Sequence, residues 1–363
     1  MAEPLKNMVD RAVVEELADR FRAVAPRFDS GSFVTDLMAA LPDLELKPRI
    51  EAIARRIASG LDNDYRTSLD FVVAVARAEP SVEGFAAWPL CTFVEIFGVN
   101  DPIASLAAME HLTKRASCEF AIRPFLRDHW EQASQSLLEF TDHGDESVRR
   151  LSSEGTRPRL PWGMRVPRLI GDPAPGLTLL ERLRHDPSEV VRRSVANHLN
   201  DVAKDHPEIV IETARRWSEE SRTDPKMVSH GLRTLVKQGH PGALEVLGFT
   251  TQPAVEVRSF TVAPDSVAMG DRIELAATLR STSGDAQRLV VDFVIHHVNK
   301  AGKTSPKVFK WATVELAGAA TVELTKRRLI QMASTRTYYP GSHRVQLQVS
   351  GTVLAEDAFE VQV

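Results

Sequence analysis

The chain has 363 residues, 43% of them hydrophobic and 26% charged, with a formal net charge of −4. Its length suits two domains, and its mildly acidic balance argues against a protein that grips nucleic acid over its whole surface. Two cysteines, Cys91 and Cys118, exclude a disulfide framework and a thiolate zinc site, and point to a reduced, cytoplasmic compartment.

The first segment, "MAEPLKNMVDRAVVEELADRF", carries acids through its apolar pattern and reads as no secretory signal. No apolar run approaches the roughly 18 residues of a membrane span, so no membrane partner is expected. From residue 9 to about 250 the pattern is one of short amphipathic helices. "VDRAVVEELADRFRAV", "RIEAIARRIASGL" and "RTSLDFVVAVARA" place apolar residues at i, i+3, i+4 and i+7, with breaks at Pro42, Asn63 and Pro102.

A repeat runs through the later part of this half. "DESVRRLSSE" from Asp145 resembles "DPSEVVRRSVANHL" from Asp186, which resembles "DPKMVSHGLRTLV" from Asp224. The Val-Arg-Arg at 148–150 recurs at 191–193, 43 residues on, and the two Asp-Pro turns are 38 apart. Periods of about 40 built from helices indicate a HEAT-like solenoid, which usually binds its partner along a concave wall.

After "TTQPA" the pattern becomes β-rich. "VEVRSFTV", "RIELAATLRS", "RLVVDFVIHHV", "KVFKWATVEL", "TVELTKRRLI", "HRVQLQVSG" and "DAFEVQV" give seven short strands. Their number and span predict an immunoglobulin-like sandwich without an inter-sheet bridge. Pro253 marks the boundary, giving a helical domain over 1–252 and a sandwich over 253–363. The sandwich holds 13 Lys and Arg against 11 Asp and Glu, a net of +2. Of the chain's 45 and 49, that leaves 32 and 38 before it, a net of −6.

The common nucleotide, hydrolase and metalloprotease motifs are missing. His296 and His297 are adjacent in a strand and face opposite ways, so they do not share a metal. "DHGDE" at 142–146 reads as an inter-helix turn followed by an N-cap. What remains is carboxylates near basic and aromatic residues. Residues 149–169 contain Arg149, Arg150, Arg157, Arg159, Arg165 and Arg168, with Glu154 as their one acid and Trp162 after Pro161.

Glu119 lies in "RASCEFAIRPFL", read as an apolar helical segment interrupted by Pro124. Aligning Val148 with Val191 sets Glu154 opposite Asn197, one turn before Asp201. Two acids thus fall at related heights on neighbouring helices. The residues alone leave other readings open: Glu154 as a salt-bridge partner, Asp201 as an exposed helix end, Trp162 as a packing residue.

The segments "SCEFAIRPFL", "SVRRLSSEGTRPRLPWG" and "VRRSVANHLNDVAKDHP" resemble those of the AlkC family of bacterial alkylpurine DNA glycosylases. The likeness extends to the β-rich tail. It implies a HEAT-like repeat solenoid followed by an immunoglobulin-like domain. The implied activity is removal of N3-methylated bases, 3-methyladenine and 3-methylcytosine, from DNA without extruding the nucleotide.

Carried over by position, the resemblance implies Glu119, Glu154 and Asp201 as catalytic carboxylates and Trp162 as the lesion-base contact. Arg149, Arg150, Arg157 and Arg159, with Arg192 and Arg193 of the repeat, would hold the DNA backbone. The implied partner is double-stranded DNA bearing alkylated bases, met by a monomer with no cofactor and no metal. "NKAGKTSPKVFK" and the "KRR" at 326–328 could grip the duplex, or be ordinary solvated segments. The alternative function is a HEAT scaffold or damage-binding protein without chemistry.

Overall fold

The computed structural model describes residues 4–62, 64–331 and 338–362. The break read at Asn63 lies outside them. The helices run in chain order as α1 (Arg11–Val24), α2 (Ser30–Ala40), α3 (Leu46–Leu61), α4 (Tyr65–Arg77), α5 (Gly84–Phe97), α6 (Pro102–Leu112), α7 (Ile122–Asp128) and α8 (Trp130–Phe140). They continue as α9 (Glu146–Glu154), α10 (Pro167–Gly171), α11 (Ala174–Leu183), α12 (Glu189–Val202), α13 (Pro207–Ser218), α14 (Pro225–Gly231), α15 (Arg233–Lys237) and α16 (Pro241–Val246). Among the described residues, none of these is long and apolar enough to cross a membrane.

Packing divides the chain into two compact units, Met1–His206 with Arg222–Gly231, and Pro207–Ser221 with Leu232–Val363. In the first, α1 and α3 each bury one stripe. Val14, Leu17, Ala18 and Phe21 of α1, and Ile50, Ile53, Ala54 and Ile57 of α3, are all inside, as the 3.6-residue period requires. Acids cap the starts of α1 and α4: Asp10 accepts from Val13 N at 3.2 Å and Asp64 from Thr67 N at 3.1 Å.

The Asp-led repeat takes the same form three times. Asp145 accepts from Ser147 N at 2.8 Å, Asp186 from Ser188 N at 2.8 Å, and Asp224 from Lys226 N at 2.9 Å. In each, a carboxylate closes the turn on its own backbone two residues ahead, and the following helix buries its valine, Val148, Val191 or Val228.

The first arginine of each Val-Arg-Arg ties successive repeats together. Arg149 reaches back to the carbonyls of His143 and Gly144 and forms a two-pronged pair with Asp186, at 2.6 and 3.0 Å. Arg192 repeats this, reaching the carbonyls of Asp186 and Pro187 and lying 3.6 Å from Asp224.

In the second unit the strands are β1 (Val255–Ala263), β2 (Ser266–Val267), β3 (Arg272–Ser281), β4 (Gln287–Val298), β5 (Thr304–Leu316), β6 (Thr321–Leu329), β7 (Gly341–Val349) and β8 (Thr352–Val361). They form a three-stranded sheet, β1-β3-β6, and a five-stranded one, β2-β8-β7-β4-β5. All pairings are antiparallel except β2 with β8. The seven strands read from the sequence are present, and the eighth, β2, has only two residues.

Ile273, Leu275, Ala277 and Leu279 alternate inward along β3 to meet Leu289, Val291, Phe293 and Ile295 of β4. Helices α13, α15 and α16 belong to this same unit. Gln348 of β7 donates to the Lys237 carbonyl at 3.0 Å. A Cβ on Gly239 would lie 2.4 Å from the Cα of Gly351, so only glycine permits that approach.

Candidate active site

Glu154 is the last residue of α9, and Asp201 is the penultimate residue of α12. Both carboxylates therefore sit at helix C-termini, where the aligned peptide dipoles present partial negative charge and disfavour an anion by about 0.3–1 kcal/mol each. Both are buried as well, Glu154 being 5% exposed and Asp201 1%. Two acids placed against both dipole and burial require nearby cations.

Arg157 supplies the first cation. Its Nη1 donates to Glu154 Oε1 at 2.6 Å and its Nε to Asp201 Oδ2 at 2.8 Å. Burial alone would lower the Arg157 pKa; the charges of Glu154 and Asp201 more than offset it, so the guanidinium pKa is raised. Ser194 of α12 donates to the other oxygen, Glu154 Oε2, at 2.6 Å. Lys204 closes the far end on Asp201 Oδ1 at 2.8 Å.

Arg150 extends the array in the other direction. Its Nη2 lies 3.0 Å from Glu119 Oε2 and 3.7 Å from Glu154 Oε1, and its Nη1 donates to Ser117 Oγ at 3.0 Å. Acids and bases alternate along the chain Glu119, Arg150, Glu154, Arg157, Asp201, Lys204. Glu119 and Arg150, with side chains 16% and 26% exposed, form one accessible end, and Lys204, 40% exposed, closes the other.

Glu119 is placed by the turn that precedes α7, not by a helix. Pro124 does not interrupt α7 either. It occupies the first turn, where no backbone N–H is needed.

The loop after α9 carries Arg157 and Trp162. Gly155 permits its tight start, since a Cβ there would lie 2.7 Å from Ile122 Cγ2. The fully buried Arg123 holds the loop from beneath, donating to the carbonyls of Gly155 and Arg157 at 2.9 Å each and to that of Met164. Burial brings its pKa down to about 10, which still leaves it charged.

Trp162 is 65% exposed and has a φ of 63°. A non-glycine residue in the left-handed region costs about 1–2 kcal/mol, and an exposed indole recovers little of that by packing. The packing reading of Trp162 is therefore not what the geometry gives.

Among the arginines read as phosphate contacts, Arg149 and Arg192 are engaged in tying the repeats, and Arg157 lies between two acids. Arg159 makes a two-pronged pair with Asp205 at 2.8 and 2.6 Å. Arg193 meets Glu189 at 2.8 Å and lines a cleft of about 320 Å³ between α12 and α14, with Arg192, Lys226 and His230. Asp201 is no exposed helix end, and Glu154 is indeed paired with arginine.

Arg123 and Ser194 escaped the sequence reading. A lone arginine inside "AIRPFL" was the available signal for the first; nothing in sequence distinguishes Ser194 from a helix-surface serine. Among the described residues no group of three or more His, Cys, Asp or Glu could hold a metal.

The fold and this array define a helical-repeat protein with an arginine-held acidic site and an appended immunoglobulin-like domain. Residues 256–363 match the family model described as "Uncharacterised protein YhaZ, C-terminal Ig-like domain". Over 360 residues the chain is 31% identical to the "Uncharacterized protein YhaZ" of Bacillus subtilis (strain 168), with 99% of each covered.

It is 34% identical to a solved structure of the Pseudomonas fluorescens alkylpurine DNA glycosylase AlkC bound to DNA containing an abasic site analog. That match has a TM-score of 0.92 and covers 99% of this chain and 100% of that one. The chain belongs to the AlkC family of DNA glycosylases. Membership decides for an enzyme over the non-enzymatic scaffold.

Proposed function

We propose that the protein repairs alkylated double-stranded DNA, hydrolysing the N-glycosidic bond of cationic N3-methylated bases, 3-methyladenine and 3-methylcytosine, without full extrusion of the nucleotide. The observation that carries this is the pair of buried carboxylates, Glu154 and Asp201, ending neighbouring helices and sharing Arg157. An N3-methylated base already bears positive charge and leaves without a general acid. As the C1′–N bond breaks, its electron pair neutralises the base and the sugar becomes oxocarbenium-like. Fixed carboxylates on two helix C-termini are preorganised to stabilise that cation, commonly the largest catalytic contribution. Water then adds to C1′ and gives its proton to a carboxylate.

In this reading Arg157 and Arg149 position other groups, whereas Arg150, Arg159 and Arg193 meet phosphates. Arg150 exchanges Glu119 for a DNA phosphate on binding, which frees Glu119 and Glu154 to face the sugar. Trp162 offers its ring to the cationic base, an attraction of about 0.5–2 kcal/mol that a neutral base does not receive. The test is chromatographic measurement of free base released from duplexes carrying 3-methyladenine, 3-methylcytosine or the neutral N6-methyladenine. Release of the first two alone agrees with the proposal; release of the neutral base at a comparable rate contradicts it.

A further inference from the structure

Trp162 stands on a left-handed peptide at the tip of a loop whose base is fixed by Arg123. Arg123 reaches the carbonyls of Gly155, Arg157 and Met164. The Trp162 carbonyl is held by Lys47, whose Nζ donates to it at 2.8 Å. Lys47 comes from the first turn of α3. The same ammonium lies 4.6 Å from the centre of the Phe120 ring, and Phe120 stacks on Trp88 at 5.5 Å. Phe120 is the chain neighbour of Glu119.

One cation thus touches both the indole-bearing tip and the turn that carries Glu119. A left-handed tryptophan persists only where its surroundings over-determine it. At the tip, the surroundings include the Gly163 N–H bond to the Leu160 carbonyl at 3.1 Å and this charge-assisted hydrogen bond, shorter and stronger than a neutral one.

We infer that Lys47 is a positioning residue: it fixes the Trp162 peptide, and so the direction of the indole, relative to the Glu119 turn. This rests on the proposed role of Trp162. Lys47 touches neither base nor sugar in this account; it acts through the loop. A lysine exposed near a DNA-facing site has an obvious competing role as a phosphate contact, and the two roles differ measurably. A phosphate contact contributes about one unit to the slope of log K against log salt, whereas a residue acting through the loop contributes none.

The experiment combines Lys47→Met, Lys47→Arg and Trp162→Ala, singly and with Lys47→Met paired to Trp162→Ala. Base release is measured under single turnover, and salt-dependent DNA affinity alongside it. The chain is labelled with 5-fluorotryptophan for fluorine NMR. Lys47 is exposed, so its variants are expected to keep the fold, as circular dichroism would check. Lys47→Met is expected to slow release about tenfold, less than the roughly 100-fold that a full 1 Å misplacement can cost. It should shift or broaden the Trp162 resonance, leave the salt slope unchanged, and add nothing to Trp162→Ala. Lys47→Arg restores most of the rate. An unmoved Trp162 resonance, a salt slope lowered by about one, or a full further loss in the double variant each overturns the inference. A wild-type rate in Trp162→Ala with a perturbed resonance in Lys47→Met leaves the tether standing and removes the base-contact role instead.

Discussion

Glu154 and Asp201, at the ends of α9 and α12, are joined by a single guanidinium, Arg157, at 2.6 and 2.8 Å. The relationship follows from the repeat: each acid ends the helix of its own unit, and the loop after the first reaches across to the second. A carboxylate at a helix C-terminus breaks a local rule, and breaking it twice, at the ends of two neighbouring helices, is the kind of conflict that marks function.

Removing the charge of either acid tests that relationship with little change of shape. Glu154→Gln and Asp201→Asn are each expected to slow base release by about 10²–10³, as for loss of one preorganised electrostatic group. Circular dichroism should show an unchanged fold in both.

Arg157 is the structural counterpart. Its replacement by Ala leaves two buried carboxylates without their shared cation and should destabilise the chain by about 3–5 kcal/mol. Urea unfolding measures this. A loss below 1 kcal/mol would mean that the pair relaxes to solvent without it.

The two arginines of the Val-Arg-Arg separate by role. Arg149→Ala removes the link to Asp186 and should lower the melting temperature while leaving the salt slope of DNA binding unaltered. Arg193→Ala should do the reverse, reducing the slope by about one with no change in melting.

Acidification reports on His198. Burial lowers its pKa from 6.5 to about 4, and its Nδ1 lies 3.0 Å from the Ser153 carbonyl. Between pH 6.5 and 4 the unfolded chain binds a proton that the native chain does not, so stability falls as the pH drops through this window. Asp292 works oppositely: burial raises its pKa from 3.8 to about 6, so between those values the native chain holds the extra proton and stability rises on acidification. The comparison is therefore wild type against His198→Asn. The variant should lose one proton's worth of slope between pH 6.5 and 4; identical slopes would contradict a neutral buried His198.

The left-handed Trp162 predicts a trade between stability and activity. Trp162→Gly should be more stable than Trp162→Ala by about 1 kcal/mol, because only glycine adopts this φ freely. Both should release the cationic bases more slowly than wild type.

The solenoid and the sandwich were legible because their periods are strong: 3.6 residues along α1 and α3, two along β3, about 40 between Asp-led turns. The register also placed Glu154 in line with Asp201. Less visible was how arginines divide their work. Arg149 and Arg150 are adjacent in sequence but about 100° apart around the helix, so one reaches the next repeat's Asp186 and the other Glu119. Pooling them as phosphate contacts ignored that angle. Pro124 misled because a proline breaks a helix interior yet fits its first turn, and β2 is too short to carry a pattern. Arg123 and Lys47 act on carbonyls distant in sequence, a relation that no local spacing encodes.

The catalytic role of the paired carboxylates is tested by base release from a duplex carrying one 3-methyladenine, by wild type, Glu154→Gln and Asp201→Asn under single turnover. Release by the wild type and a loss of about 10²–10³ in each variant are expected. Full activity in both folded variants would contradict that role.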